Sequence, residues 1–253
     1  MTTLSLNPAV NIPSPGITNN LSSQKPKCYA QNAAKLLESR LPTPNETTNE
    51  IDNLLLGENE AIQDLYCVTF IGYSGQRYED LAGVKETIKS TLEGCLRDNP
   101  DKQVVVVCGG TRVGIGGAYD VVAGDAFLKE NIKCIGIVSE LASEQDLVQD
   151  RDDFKVGIVR VPDPKQSWQT KLTDGDQEYQ AMLYPAHKYG GEVMAFGAGG
   201  IGYEEVKEGI NKGIETTIFP SQPDRTLLQE KINAGKKFSD LCPLLHHEFG
   251  FNG

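Results

Sequence analysis

The sequence lacks any cysteine pair at CxxC spacing, any apolar run that approaches a membrane span, and any excess of basic residues. Its six cysteines, Cys28, Cys67, Cys95, Cys108, Cys134 and Cys242, stand apart, which argues against a zinc site. Cys67, Cys108 and Cys134 fall inside or at the end of strand-like runs and read as small buried hydrophobes in a reducing compartment. There are three histidines. His246 and His247 have no spaced carboxylate partner, so no metal site is read there, and no cofactor is expected. The short apolar runs give no reason to expect a membrane partner. With 24 Lys and Arg against 35 Asp and Glu, the net charge of −11 argues against a general nucleic-acid binder, which needs a basic face to displace counterions. A local group of amides and one or two arginines still suffices for a nucleotide. The first residues show no basic-then-apolar signal pattern, so a cytoplasmic location is the expectation.

What is present is ordinary in bulk and specific in pattern. The 253 residues allow one sizeable α/β domain, and 39% hydrophobic with 23% charged residues is usual for a globular chain. Residues 1–27 are rich in Asn, Pro, Ser and Thr and read as a mobile tail. A short helix is expected over 28–40 through Ala33, Leu36 and Leu37, and a second over 47–64 with Ile51, Leu54, Leu55 and Ile62 on one side. Residues 1–64 are therefore grouped as an appendage, 65–240 as the main domain and 241–253 as a C-terminal tail. From Tyr66 the chain repeats strand, glycine turn, helix. Strands are expected at Cys67–Ile71, Val104–Val107, Cys134–Val138, Val156–Val159, Val193–Phe196 and Thr216–Phe219. Helices are expected along Leu81, Val84, Ile88, Leu92 and Cys95, along Ala118, Val121, Val122 and Ala126, and over 203–212 and 225–234. A further helix is expected near Gln177–Leu183 in the irregular stretch 162–191. Short, non-alternating apolar strands that alternate with helices imply an α/β fold, a Rossmann-like doubly wound parallel sheet with helices on both faces.

Three glycine turns fall at strand carboxyl ends, where such sheets bind ligands. The first is Gly72-Tyr73-Ser74-Gly75, whose Ser74 either bonds a phosphate or caps the turn. The second, Gly109-Gly110-Thr111-Arg112-Val113-Gly114-Ile115-Gly116-Gly117, packs five glycines into nine residues and adds the forked charge of Arg112. The third runs Gly197-Ala198-Gly199-Gly200-Ile201-Gly202 into Tyr203, Glu204 and Glu205. A bare backbone aimed into a helix start presents free amides to an anion. Arg77, His187, Tyr189 and Trp168 lie where they either reach a ligand or serve surface and core.

These turns, in this order, resemble the SLOG superfamily, which joins the Lonely-Guy (lysine-decarboxylase-like) phosphoribohydrolases, the DNA-processing Smf proteins and nucleotide-sensing domains. The resemblance spans about residues 66–236. It implies a nucleotide-like ligand held by Gly72, Ser74, Gly75, Gly109, Gly110, Thr111, Arg112, Gly114, Gly116, Gly117, Gly199, Gly200, Ile201, Gly202 and Tyr203, and a homodimer. Against the hydrolase signature PGGxGTxxE, Ala198 replaces the proline, Tyr203 the threonine, and Val206 the catalytic glutamate. Glu205 is one position short. At about 100° per residue it is expected to point away from the glutamate's direction. The upstream His187-Lys188-Tyr189 supplies no arginine.

Three readings follow. The first is a binding or sensing module for a nucleotide or ADP-ribose-like molecule. The second is a phosphoribohydrolase that splits the N-glycosidic bond of a nucleoside 5′-monophosphate, with Glu205 as its catalytic residue. The third is an NAD(P) oxidoreductase, on the strength of Gly114-Ile115-Gly116 and of Glu140 after the next strand.

Overall fold

A computed structural model describes residues 44–57 and 64–252. The expected tail over 1–27, the helix over 28–40, Ile62 and Cys28 lie outside the described residues. The elements in chain order are α1 (Pro44–Leu56), β1 (Leu65–Gly72), α2 (Leu81–Asp98), β2 (Gln103–Cys108), α3 (Gly117–Gly124), α4 (Ala126–Asn131), β3 (Ile132–Ser139), β4 (Gly157–Val161), β5 (Lys171–Asp174), β6 (Gln177–Gln180), α5 (Tyr184–Tyr189), β7 (Gly191–Phe196), α6 (Gly200–Asn211), β8 (Glu215–Phe219), α7 (Arg225–Asn233), α8 (Phe238–Leu241) and α9 (Pro243–Phe249).

Six strands form one parallel sheet in the order β4-β3-β2-β1-β7-β8. The chain builds outward from β1 to β4, returns, and adds β7 and β8 on the other side of β1. The switch point therefore lies between β1 and β7, and the register pairs Gly72 with Phe196 there. The first and third glycine turns thus leave the sheet side by side. The second leaves from β2, the other neighbour of β1.

Strand alternation divides the core into two layers. Leu65, Cys67 and Ile71 of β1 face the layer that holds Ile51 and Leu55 of α1, Tyr184 of α5 and Val206 of α6. Val68 and Phe70 face the layer that holds Val84, Ile88 and Leu92 of α2 and Tyr119 of α3. Both faces of the sheet are covered, which is why its strands are apolar without alternation. Cys67, Cys108 and Cys134 are free and buried, as the reading of small hydrophobes expects, and so are Cys95 and Cys242.

Three findings differ from the sequence reading. Helix α1, grouped with an appendage, packs against β4 and β5 within the same compact unit as the sheet. Its Asp52 accepts hydrogen bonds from the Tyr184 and Tyr189 hydroxyls and from Lys188 Nζ, which ties α1 to α5. The 241–253 tail carries α9, with Leu244 and Leu245 buried. The helix expected near Gln177–Leu183 is instead the second strand of an antiparallel hairpin, followed by a 3-10 turn over Ala181–Leu183. Gly175, at φ 60°, sits in the two-residue loop between β5 and β6. Leu172 and Tyr179 pair across the strands and bury together.

Candidate functional site

The three glycine turns converge on Tyr73, which is buried at the end of β1. The Tyr78 hydroxyl accepts the Tyr73 N–H (3.1 Å) and donates to the Phe196 carbonyl (2.9 Å), so the first turn is pinned to the end of β7. The Ile115 N–H donates to the Tyr73 carbonyl at 2.7 Å, which pins the second turn to the first. At Gly114, with φ 64°, a Cβ would lie 1.9 Å from that carbonyl oxygen. At Gly197, with φ 59°, it would lie 2.6 Å from the Tyr73 ring. These two glycines allow the turns to touch. A Cβ on Gly116 would likewise meet the Thr111 carbonyl at 1.7 Å. Much of the glycine crowding in the second turn therefore serves contact between backbones, and the Ile115, Gly116 and Gly117 amides are already bonded within the protein.

A cleft of about 170 Å³ opens above the ends of β1, β2 and β3. Gly72 and Ser74 from the first turn, Gly109 and Thr111 from the second, and Ile201, Gly202 and Glu205 from α6 line it. Ile137, Val138 and Ser139 of β3, together with Trp168, Thr170 and Met182, form the far wall. Met182 is placed by a hydrogen bond from the Thr69 hydroxyl on β1 to its carbonyl (3.3 Å).

The other sequence-selected residues lie elsewhere. Arg112, Gly114 and Gly117 line a neighbouring groove with Arg77 and Lys85. Thr111 lines the cleft, whereas Arg112, Val113 and Gly114 that follow it line the neighbouring groove. Gly75, Gly110, Gly116, Gly199, Gly200 and Tyr203 shape the turns without lining the cleft. Tyr203 stacks on His247, with ring centroids 5.3 Å apart. His187 packs on Tyr179 at 4.9 Å, and Tyr189 bonds Asp52. The Glu140 carboxylate accepts the Asp163 N–H (2.8 Å), which occupies the group that the oxidoreductase reading assigns to a ribose.

Helix α6 supplies the cleft's anion-attracting end. Helices α2, α4 and α7 begin with an aspartate whose carboxylate accepts first-turn amides. Helix α6 is preceded by Gly199 at its capping position, with no side-chain cap and no acid in its first turn. The Gly200, Ile201 and Gly202 amides find no acceptor among the described residues. The first bonded amide is that of Tyr203, to the Gly199 carbonyl at 2.9 Å. Free amides and the positive end of the helix dipole favour a negative group here.

One turn along α6, Glu205 faces the same cleft, 8% exposed, with no hydrogen bond or ion pair among the described residues. Burial, and secondarily the charge of Glu208, push its pKa from the ordinary 4.5 up to about 8. At neutral pH it is therefore mostly a neutral acid. The expectation that Glu205 points away is corrected. Gly202 presses close to Ile71 and Ala198, where a Cβ would lie 2.9 and 3.0 Å away. That contact turns Val206 into the core and Glu205 to the cleft.

The chain matches no protein-family model and no curated protein. The cleft's chemistry therefore carries the functional argument. Among the described residues its wall holds no lysine or arginine, and Glu205 is its only carboxyl. Affinity for an anion would come from helix amides and the Ser74 and Thr111 hydroxyls. Sequence reasoning missed Ser139, Thr170 and Met182. They come from a strand end, a loop and a 3-10 turn that only the tertiary fold assembles. No helix among the described residues is long and apolar enough to cross a membrane.

Proposed function

We propose that the cleft binds a nucleotide-type ligand, with its phosphate on the amino end of α6 and its ring toward the β3 wall. The observation that carries this reading is the uncapped start of a twelve-residue helix, whose unbonded first-turn amides lie beside a cleft that Ile201 and Gly202 line at the sheet's switch point. The resemblance to the SLOG superfamily supports it, because the turns that carry the resemblance sit at adjacent strand ends. A homodimer in the cytoplasm belongs to the same proposal, and the mass in solution from light scattering tests its oligomeric part.

Titration calorimetry with AMP tests the binding. Saturable heat at submillimolar ligand is expected, and no heat at millimolar ligand discards the reading. Gly200→Asp separates the helix end from the rest of the cleft. A Cβ at Gly200 meets nothing within 4 Å, so the substitution fits. Its carboxylate caps the free amides and repels phosphate. AMP affinity should fall about a hundredfold while stability holds or rises by about 0.5 kcal/mol. Unchanged affinity would move the phosphate away from α6.

One observation favours a second reading, hydrolysis of the N-glycosidic bond. A partnerless carboxyl with a pKa of about 8 is protonated at neutral pH and sits beside the proposed phosphate site. As the C1′–N bond breaks, the Glu205 proton passes to the departing base. A water oxygen bonds to C1′, and that water's proton goes to the Glu205 carboxylate, which restores the acid.

A further inference from the structure

The wall of the cleft opposite α6 is a loop held in an unfavoured conformation. Gln166 and Trp168 have φ of 53° and 62°, a region that residues other than glycine rarely occupy. One buried side chain, Asp163, holds this loop. Its Oδ1 accepts the Ser167 N–H (3.1 Å) and the Ser167 hydroxyl (3.2 Å). Its Oδ2 accepts the Trp168 N–H (2.7 Å) and the hydroxyl of Ser139 at the end of β3 (3.2 Å). Its carbonyl accepts the Gln166 N–H (2.9 Å), and its own N–H donates to Glu140 Oε1 (2.8 Å). Burial acts to raise the Asp163 carboxyl, but these amide and hydroxyl donors outweigh it and hold it below the usual carboxylate range. Asp163 is thus a charged acceptor with all its donors supplied from one loop and one strand end.

The clamp keeps an indole in the open. Trp168 lines the cleft and stays 47% exposed, although covering the core would bury it. An apolar ring held out of the core by a strained backbone and a dedicated carboxylate is suited to stacking on a flat ring. We propose that Asp163 is a positioning residue that fixes Trp168 as the stacking platform for the ligand's planar ring, so that the site selects nucleotides over sugar phosphates. This inference rests on the nucleotide-binding reading above and adds the origin of its ring selectivity.

Trp168 is the only tryptophan, so tryptophan emission, excited at a wavelength that the tyrosines do not absorb, reports on it alone. The probes are AMP, which has a flat ring, and ribose 5-phosphate, which has none. In the wild-type protein AMP should quench Trp168 saturably, and ribose 5-phosphate, followed by calorimetry, should bind more weakly without quenching. Asp163→Asn keeps one oxygen acceptor and sets an amide donor against the loop's own donors. It should weaken AMP about tenfold or more, leave ribose 5-phosphate within about twofold, and change acrylamide access to Trp168 in the unliganded protein. Ser167→Ala removes one of the bonds to Asp163 and the bond that the Ser167 hydroxyl accepts from the Gln169 N–H, and should weaken AMP about threefold. It carries the test if Asp163→Asn fails to fold. Equal losses for both probes, or unchanged AMP affinity in the folded variants, would overturn the role of Asp163 alone. A wild-type protein that binds neither probe would overturn the nucleotide reading and this inference with it.

Discussion

Glu205→Gln is expected to stabilise the protein by about 3 kcal/mol at pH 7 while it removes any base release from AMP. The stability effect follows from linkage. The folded-state pKa of Glu205 is raised from 4.5 to about 8, so the folded protein holds a proton that the unfolded chain gives up. Between these values the unfolded state binds fewer protons, and stability falls as pH rises, by about 1.4 kcal/mol per pH unit. Above pH 8 both states are ionised and the loss levels off. Glutamine keeps the shape and cannot ionise. Denaturant midpoints from pH 4.5 to 9 should therefore slope downward for the wild type relative to the variant, with the gap widest above pH 8. Parallel curves would mean that the carboxyl is solvated or paired. In the catalytic arm, loss of the acid should lower base release by at least about a hundredfold, with AMP affinity within about threefold. Base release equal to wild type would remove Glu205 from the chemistry, and the cleft would remain a binding site.

The second large effect is expected at Gly114. Alanine there must adopt φ 64° and place its Cβ 1.9 Å from the Tyr73 carbonyl oxygen, which accepts the Ile115 N–H. Neither strain relaxes without parting the first turn from the second, and that exposes buried Tyr73. A loss of about 4 kcal/mol or more is expected, or roughly 8–16 °C in Tm for a domain of this size. Gly75→Ala is the control. Its Cβ meets nothing within 4 Å and its φ is not positive, so stability should stay within about 0.5 kcal/mol of wild type. If both variants melt together, Gly114 is not the weld between the turns.

The sheet was legible because its strands are short apolar runs, and β1, β2 and β7 are each followed by a glycine turn and an apolar stripe of helical period. Val104–Val107, Cys134–Val138 and Val193–Phe196 all appear where that pattern places them. The β5–β6 hairpin was not legible, because Gly175 reads equally well as an interruption of a helix. The site was half legible. That glycine turns gather at the carboxyl edge follows from parallel topology, and β1, β2 and β7 are indeed neighbours. Which side chains face the cleft follows from finer geometry. Thr111 and Arg112 are adjacent in sequence and line different hollows. The direction of Glu205 depends on how Gly202 seats against Ile71, which a count along a signature does not contain. Asp163 acts across 24 residues on Ser139, a contact that no local pattern announces.

The central claim is that the first-turn amides of α6 receive an anion. Titration of the ¹⁵N-labelled protein with AMP, followed by amide chemical shifts, tests it most directly. Saturable shifts at Gly200, Ile201 and Gly202, with Ser74 and Thr111 moving in step, are expected. Shifts confined to the Arg77 and Arg112 groove, or none at ten millimolar AMP, would contradict it.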